Sequence, residues 1–139
     1  MTDLRVGVIG FGLAGRLFHA PFIAATAGLE LTAVVTRSPQ RALDARTEYP
    51  GIQVVESVSE LLTMDIDLVA VASPSGLHAE HARQALEAGR HVVLDKPPAR
   101  DAAQFEALIE LSVSRSRHLI VFHNRRWDSE FRTLQAILD

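Results

Sequence analysis

Short β-branched apolar runs alternate along this chain with segments of helical periodicity. The runs 4–9, 31–36, 53–55, 67–72, 91–94 and 118–122 read as strands, and segments near 12–25, 39–48, 57–62, 76–88 and 102–114 read as helices. Strands joined through helices imply right-handed crossovers and a mostly parallel sheet. Six such strands fit an α/β architecture, a doubly wound parallel sheet of strand order 3-2-1-4-5-6. Ser38 ahead of Pro39 supplies a helix N-cap and a first-turn proline, and Gly89 after Ala88 a helix stop. Pro21 falls inside the first helical pattern and is expected to break it, because proline has no N–H to donate and its ring crowds the carbonyl four residues back.

The first strand runs straight into Gly10-Phe11-Gly12-Leu13-Ala14-Gly15, a G-x-G-x-x-G turn that opens a helix. In that context each glycine has a physical role. Gly10 makes the tight turn, Gly12 lets backbone approach a pyrophosphate, and Gly15 lets the helix pack closely on the sheet. The helix N-terminus then offers free N–H groups and a positive dipole to the phosphates.

Composition narrows the classes. The chain has 139 residues, no cysteine, 47% hydrophobic residues and a formal net charge of −3. Disulfides and thiolate metal sites are excluded, and there is no electrostatic case for a nucleic-acid or membrane partner. The longest apolar runs are too short to span a bilayer. The first strand starts too early to leave room for a signal peptide, so a cytoplasmic protein is the expectation.

The strand ends carry the candidate chemistry. An NAD-selective site places an acid at the end of the second strand. Here that position reads Thr36-Arg37-Ser38, with Arg41 one turn on. Arg37 either clamps a 2′-phosphate, with Thr36 and Ser38 as hydroxyl donors, or is a solvated charge with Arg41. An arginine in a first helical turn opposes the dipole, which favours a bound anion and NADP before NAD. The fourth strand ends in Ser73-Pro74-Ser75, where Pro74 forms a wall and Ser75 is placed to cap the next helix. His78 and His81 are one turn apart without the H-E-x-x-H pattern of a zinc site. They read as helix-surface histidines, with His78 in reach of a cofactor, and no metal is expected. Asp95-Lys96-Pro97 closes the fifth strand, placing an amine in the crevice where it can exchange a proton with a substrate hydroxyl, and Asp95 orients it or caps the loop. Asn124 and Arg125, after the sixth strand, read as polar groups reaching the same crevice. Arg115, Arg117 and Arg126 do not form a nucleic-acid patch, because the strand separates them.

Taken in order, Gly10-x-Gly12-x-x-Gly15, Ser73-Pro74-Ser75-Gly76-Leu77-His78, Gly89 to Pro97 and His123-Asn124-Arg125-Arg126-Trp127-Asp128 resemble the N-terminal Rossmann domain of the glucose-fructose oxidoreductase/inositol dehydrogenase (Gfo/Idh/MocA) family. The Phe18-His19-Ala20-Pro21 segment is most similar to its NADP-dependent scyllo-inositol dehydrogenase branch. The resemblance implies that Lys96 is the catalytic lysine, with Asp95 in place of the more usual glutamate. It implies that Ser73, Pro74 and His78 line the cofactor and that Asn124 and Arg125 approach nicotinamide or substrate. The substrate implied is a sugar or polyol. Family members continue into a second domain that helps bind substrate and mediates oligomerisation, so a homo-oligomer is expected of a full-length protein. Trp127, Phe131, Leu134 and Leu138 fall at i, i+4, i+7 and i+11, a helical stripe that needs a surface to cover. We therefore read residues 1–123 as the dinucleotide-binding domain and 124–139 as the start of a connection to a substrate domain absent from this chain. These residues are expected to bind cofactor without catalysis alone. The alternative is a stand-alone NADP(H)-sensing module.

Overall fold

A computed structural model of the chain describes residues 3–138. Six parallel strands form one sheet in the order β3-β2-β1-β4-β5-β6, the arrangement expected from the alternation of elements. They are β1 (Leu4–Ile9), β2 (Leu29–Val35), β3 (Gln53–Val55), β4 (Leu68–Val71), β5 (His91–Asp95) and β6 (Leu119–Phe122). The helices are α1 (Ala20–Ala25), α2 (Pro39–Glu48), α3 (Val58–Thr63), α4 (His78–Glu87), α5 (Ala102–Ser114) and α6 (Ser129–Leu138).

Local chemistry sets the helix starts. The Ser38, Ser57 and Asp101 side chains accept the N–H three residues on, from Arg41, Glu60 and Gln104, and so satisfy orphan donors of α2, α3 and α5. The first helical pattern is not one helix. Residues Gly15–His19 are wound as a π-turn, in which the Ala20 N–H reaches back five residues to Gly15 O, and α1 then begins with Pro21 in its first turn. Proline explains the break. It cannot supply the next α-type bond, so the ladder widens ahead of it.

The core lies on both faces of the sheet. Val69, Val71, Val92 and Leu94 pack against Leu61, Ala82, Leu86 and Leu108 of α3, α4 and α5. Val6, Val8 and Val34 pack on the other face with Phe11, Ala20, Ile23 and Ala45. That second face is covered only in part. Beside α1, a groove of about 600 Å³ opens over Leu68, Ala70, Val93 and Ile120, and Ile120 is 56% exposed.

Candidate dinucleotide site

The strand order reverses between β1 and β4, and a parallel sheet binds ligands outside the carboxyl ends of its strands at such a point. The turn after β1 lies directly on the loop after β4. Gly10 has φ +96°, and a Cβ there would sit 2.8 Å from Ala72 O. A Cβ on Gly15 would come within 1.9 Å of Gly10 O, so the new helix starts in contact with the end of the strand. Gly12 is different. A Cβ there would meet the Arg41 guanidinium, at 3.7 Å, and no backbone. The space over Gly12 is therefore bounded by a cation, which fits a phosphate brought up to the main chain. Leu13 is exposed beside it and Ala14 half-buried, whereas the Phe11 ring is in the core, edge-on to Tyr49 at 6.4 Å. Phe11 thus has only its main chain at the turn.

A cleft of about 670 Å³ runs from Gly12 and Leu13 to Ser38 and Arg41. At its far end Arg16 is held by Asp44, at 2.7 Å, and by Glu48. Arg37 and Arg41 make no ion pair among the described residues. Thr36 is buried and its hydroxyl accepts the Ser38 N–H at 3.3 Å, so Thr36 and Ser38 brace the turn from which the exposed Arg37 side chain projects.

The loop after β4 departs from expectation twice. Ser75 does not cap α4. A 3₁₀ turn over Ser75–Leu77 intervenes, the N-cap of α4 is Leu77, and no side chain bonds there. Nor is His78 a helix-surface residue. It is 3% exposed, and its Nδ1 and Nε2 lie 2.7 Å from Pro97 O and from Ser73 O. The ring is a strut between the loops after β4 and β5, and in either neutral tautomer it donates to one of these carbonyls. His81 Nδ1 meets the Ser73 hydroxyl at 2.9 Å, and burial pushes this histidine below its ordinary range. Pro74 and Ser75 are exposed at the rim.

At the end of β5 the Asp95 carboxylate accepts the Lys96 N–H at 2.9 Å, a hydrogen bond that caps the loop. The Lys96–Pro97 bond is cis. The Lys96 side chain is exposed and lines an open pocket of about 450 Å³ with His123, Asn124, Arg125, Arg126 and Phe131. Asn124 and Arg125 open a 3₁₀ turn over Asn124–Trp127, where Arg125 is tied to Asp128 at 2.7 Å.

One buried residue beside the crevice is given no role by sequence reasoning. His19, within an apparent helical run, is turned inward by the π-turn to 4% exposure, and its ring lies 4.7 Å from that of Phe122. Its Nε2 is 3.8 Å from Asp95 Oδ2. Pro21, two residues on, is the sequence signal for the break in the helix, while the Phe18–Pro21 resemblance marks the segment without giving His19 a role.

The carboxyl edge of the sheet thus has an open turn flanked by Arg41 at the β1 and β2 ends and a primary amine at the β5 end. Among the described residues no group of three or more His, Asp or Glu side chains could hold a metal ion, and no helix is long and apolar enough to cross a membrane.

Comparison with known proteins agrees with this geometry. The chain is 45% identical over 140 residues to an uncharacterised oxidoreductase, YdgJ, of Escherichia coli, covering 99% of this chain and 40% of the relative. It is 35% identical to the NADP⁺-dependent scyllo-inositol 2-dehydrogenase IolW of Bacillus subtilis, covering 99% and 38%. A solved 3-ketoreductase variant, KijD10 of Actinomadura kijaniata in complex with TDP-benzene and NADP, superposes with a TM-score of 0.90 at 32% identity, over 99% of this chain and 44% of that one. The chain spans about two-fifths of the length of the curated relatives it matches. A family model described as an oxidoreductase family, NAD-binding Rossmann fold, matches residues 4–123, and the chain belongs to that family, Gfo/Idh/MocA.

Proposed function

We propose that this chain is the NADP(H)-binding part of a longer dehydrogenase acting on a sugar or cyclitol, with Lys96 as the acid/base. The observation that carries the reading is the Gly12 cradle, open to a ligand on one side and bounded by Arg41 on the other. Gly10, Gly12, Leu13 and Ala14 would hold the pyrophosphate, the first two through main chain that no Cβ obstructs. Arg37, with Arg41 and Ser38, would receive the 2′-phosphate, and no acid stands at the end of β2 to repel it. Ser73, Pro74 and the His78 strut would form the wall beside the nicotinamide half, with Asn124 and Arg125 opposite.

The bound dinucleotide supplies or takes up the hydride. The residues of this chain manage the proton. When a hydroxyl is oxidised, the Lys96 amine removes its proton as the carbon gives up hydride, and on reduction the Lys96 ammonium returns a proton to the carbonyl oxygen. The Asp95 cap keeps the Lys96 main chain in place at the edge of the sheet. The relatives' names, an NADP⁺-dependent inositol dehydrogenase and a 3-ketoreductase with NADP, support this substrate class and cofactor.

Cofactor binding is the direct test. The chain should bind NADPH more tightly than NADH by fluorescence titration. Arg37→Ala should weaken NADPH binding about tenfold, the loss of one charge-assisted phosphate contact, while NADH binding changes little. Equal losses for both would remove Arg37 from the 2′-phosphate.

A further inference from the structure

The His19 side chain has no part in the reading above, yet it is the one buried imidazole nitrogen in the described residues with no hydrogen-bond partner. The ring is 4% exposed, packed on Phe122, and its buried Nε2 faces Asp95 Oδ2 at 3.8 Å. Buried polar atoms are paired in all but a few cases, so such an orphan calls for an explanation. The other oxygen of the same carboxylate already holds the Lys96 amide.

We propose that His19 is a positioning residue for Lys96: its Nε2–H holds Asp95 Oδ2, so that Oδ1 stays on the Lys96 N–H and the lysine is presented at a fixed place on the sheet edge. The gap of 3.8 Å is within a small rotation of the Asp95 carboxyl group, which ends a strand and has no other side-chain partner among the described residues. Burial lowers the pKa of His19 more than Asp95 raises it, so the ring is neutral near pH 7 and carries a single N–H. On Nε2 that proton has an anion to bind, and the charge-assisted bond is the stronger kind.

The placement has a consequence for the cofactor. His19 ends the π-turn of the same helical segment whose start, at Gly12 to Gly15, forms the phosphate cradle. One short segment therefore links the phosphate turn at one end to His19, beside Asp95, at the other. This inference rests on the role proposed for Lys96.

Nitrogen NMR of the imidazoles in this chain tests it without any assay of activity. In the unaltered chain the His19 Nε2 resonance should be that of a protonated nitrogen, and Asp95→Ala should move it. His19→Leu keeps the bulk against Phe122 and removes the N–H. It should speed hydrogen exchange at the Lys96 amide by about tenfold, and His19→Gln, which restores a donor at the same reach, should recover most of that protection. A deprotonated Nε2, or one indifferent to Asp95→Ala, would overturn the proposal even if the leucine variant failed to fold. Equal exchange in the glutamine and leucine variants would also overturn it. A parallel NADPH titration of the unaltered chain separates the two readings. Failure to bind would sink the dinucleotide reading and the role of Lys96 with it, whereas binding with an indifferent Nε2 would sink the His19 link alone.

Discussion

Three glycines in one turn stand in three different surroundings, and only at Gly12 does the backbone leave the space over the glycine open. Gly10 needs its left-handed φ and has Ala72 O at 2.8 Å, while Gly15 has Gly10 O within 1.9 Å of where a Cβ would be. Gly12 has neither constraint, with a guanidinium 3.7 Å away and otherwise open space. Alanine should separate them. Gly15→Ala forces the helix off the strand, and such overpacking costs about 1–3 kcal/mol, visible as a lower Tm or a lower denaturant midpoint. Gly12→Ala should leave the Tm nearly unchanged and weaken NADPH binding about tenfold or more, because the methyl group occupies the approach of the pyrophosphate. An unaltered NADPH affinity in a folded Gly12→Ala chain would remove the pyrophosphate from that turn. The glycine spacing was legible in the sequence because each requirement is local. His78 was not, because its partner Pro97 O is nineteen residues away and a helical period alone leaves its inward turn unmarked.

Among the elements, strand order followed from alternation, but windings and ties between distant segments did not. A period of 3.6 residues fits Gly12 to Ala25 well enough to hide a π-turn, and the hydrogen-bond shift becomes visible only where Ala20 reaches Gly15 O. The tie between β1 and β4 is also absent from any local pattern. Arg5 donates to both oxygens of Asp67, from Nε at 2.9 Å and from Nη2 at 3.0 Å, and its main-chain N–H adds a third bond at 2.9 Å. The Arg5 hydrogen bonds hold the Asp67 carboxyl down at about 2. A carboxyl depressed in the fold is protonated more readily in the unfolded chain, so its stabilisation is complete above about pH 4 and is lost as pH falls towards 2. Asp67→Asn should therefore lower stability at pH 7, and the gap to the unaltered chain should narrow between pH 4 and pH 2 in urea titrations. A gap of constant size across that range would show that the charge of Asp67 contributes nothing.

At the scale of the whole molecule, the sheet offers two unlike faces, and the difference bears on what this chain can do alone. Parallel strands are ordinarily covered on both sides, yet β4, β5 and β6 have helices on one side and an apolar groove of about 600 Å³ on the other. The stripe expected from spacing holds only within α6, where Phe131, Leu134 and Leu138 are exposed. Trp127 is not on it, because Asp128 is extended and ends the 3₁₀ turn before α6 begins, and Trp127 is 80% exposed. What covers these surfaces was not readable, because a sequence pattern marks an apolar face without naming its partner. The cofactor end of the crevice is walled by the turn after β1, by α2 and by the loop after β4, all of which this chain supplies. The lysine end is an open pocket whose walls are the turn after β6 and Phe131 of α6. Catalysis needs water excluded and the substrate carbon held within about 3–3.5 Å of the reacting atoms, which an open pocket does not enforce. The 139-residue chain should accordingly bind NADPH yet show no oxidation of inositols or sugars above background when NADPH formation is followed at saturating NADP⁺. Turnover at an ordinary enzymatic rate would mean that Lys96, Asn124 and Arg125 suffice to hold a substrate, and that the remaining three-fifths of the relatives' length is not needed for the chemistry.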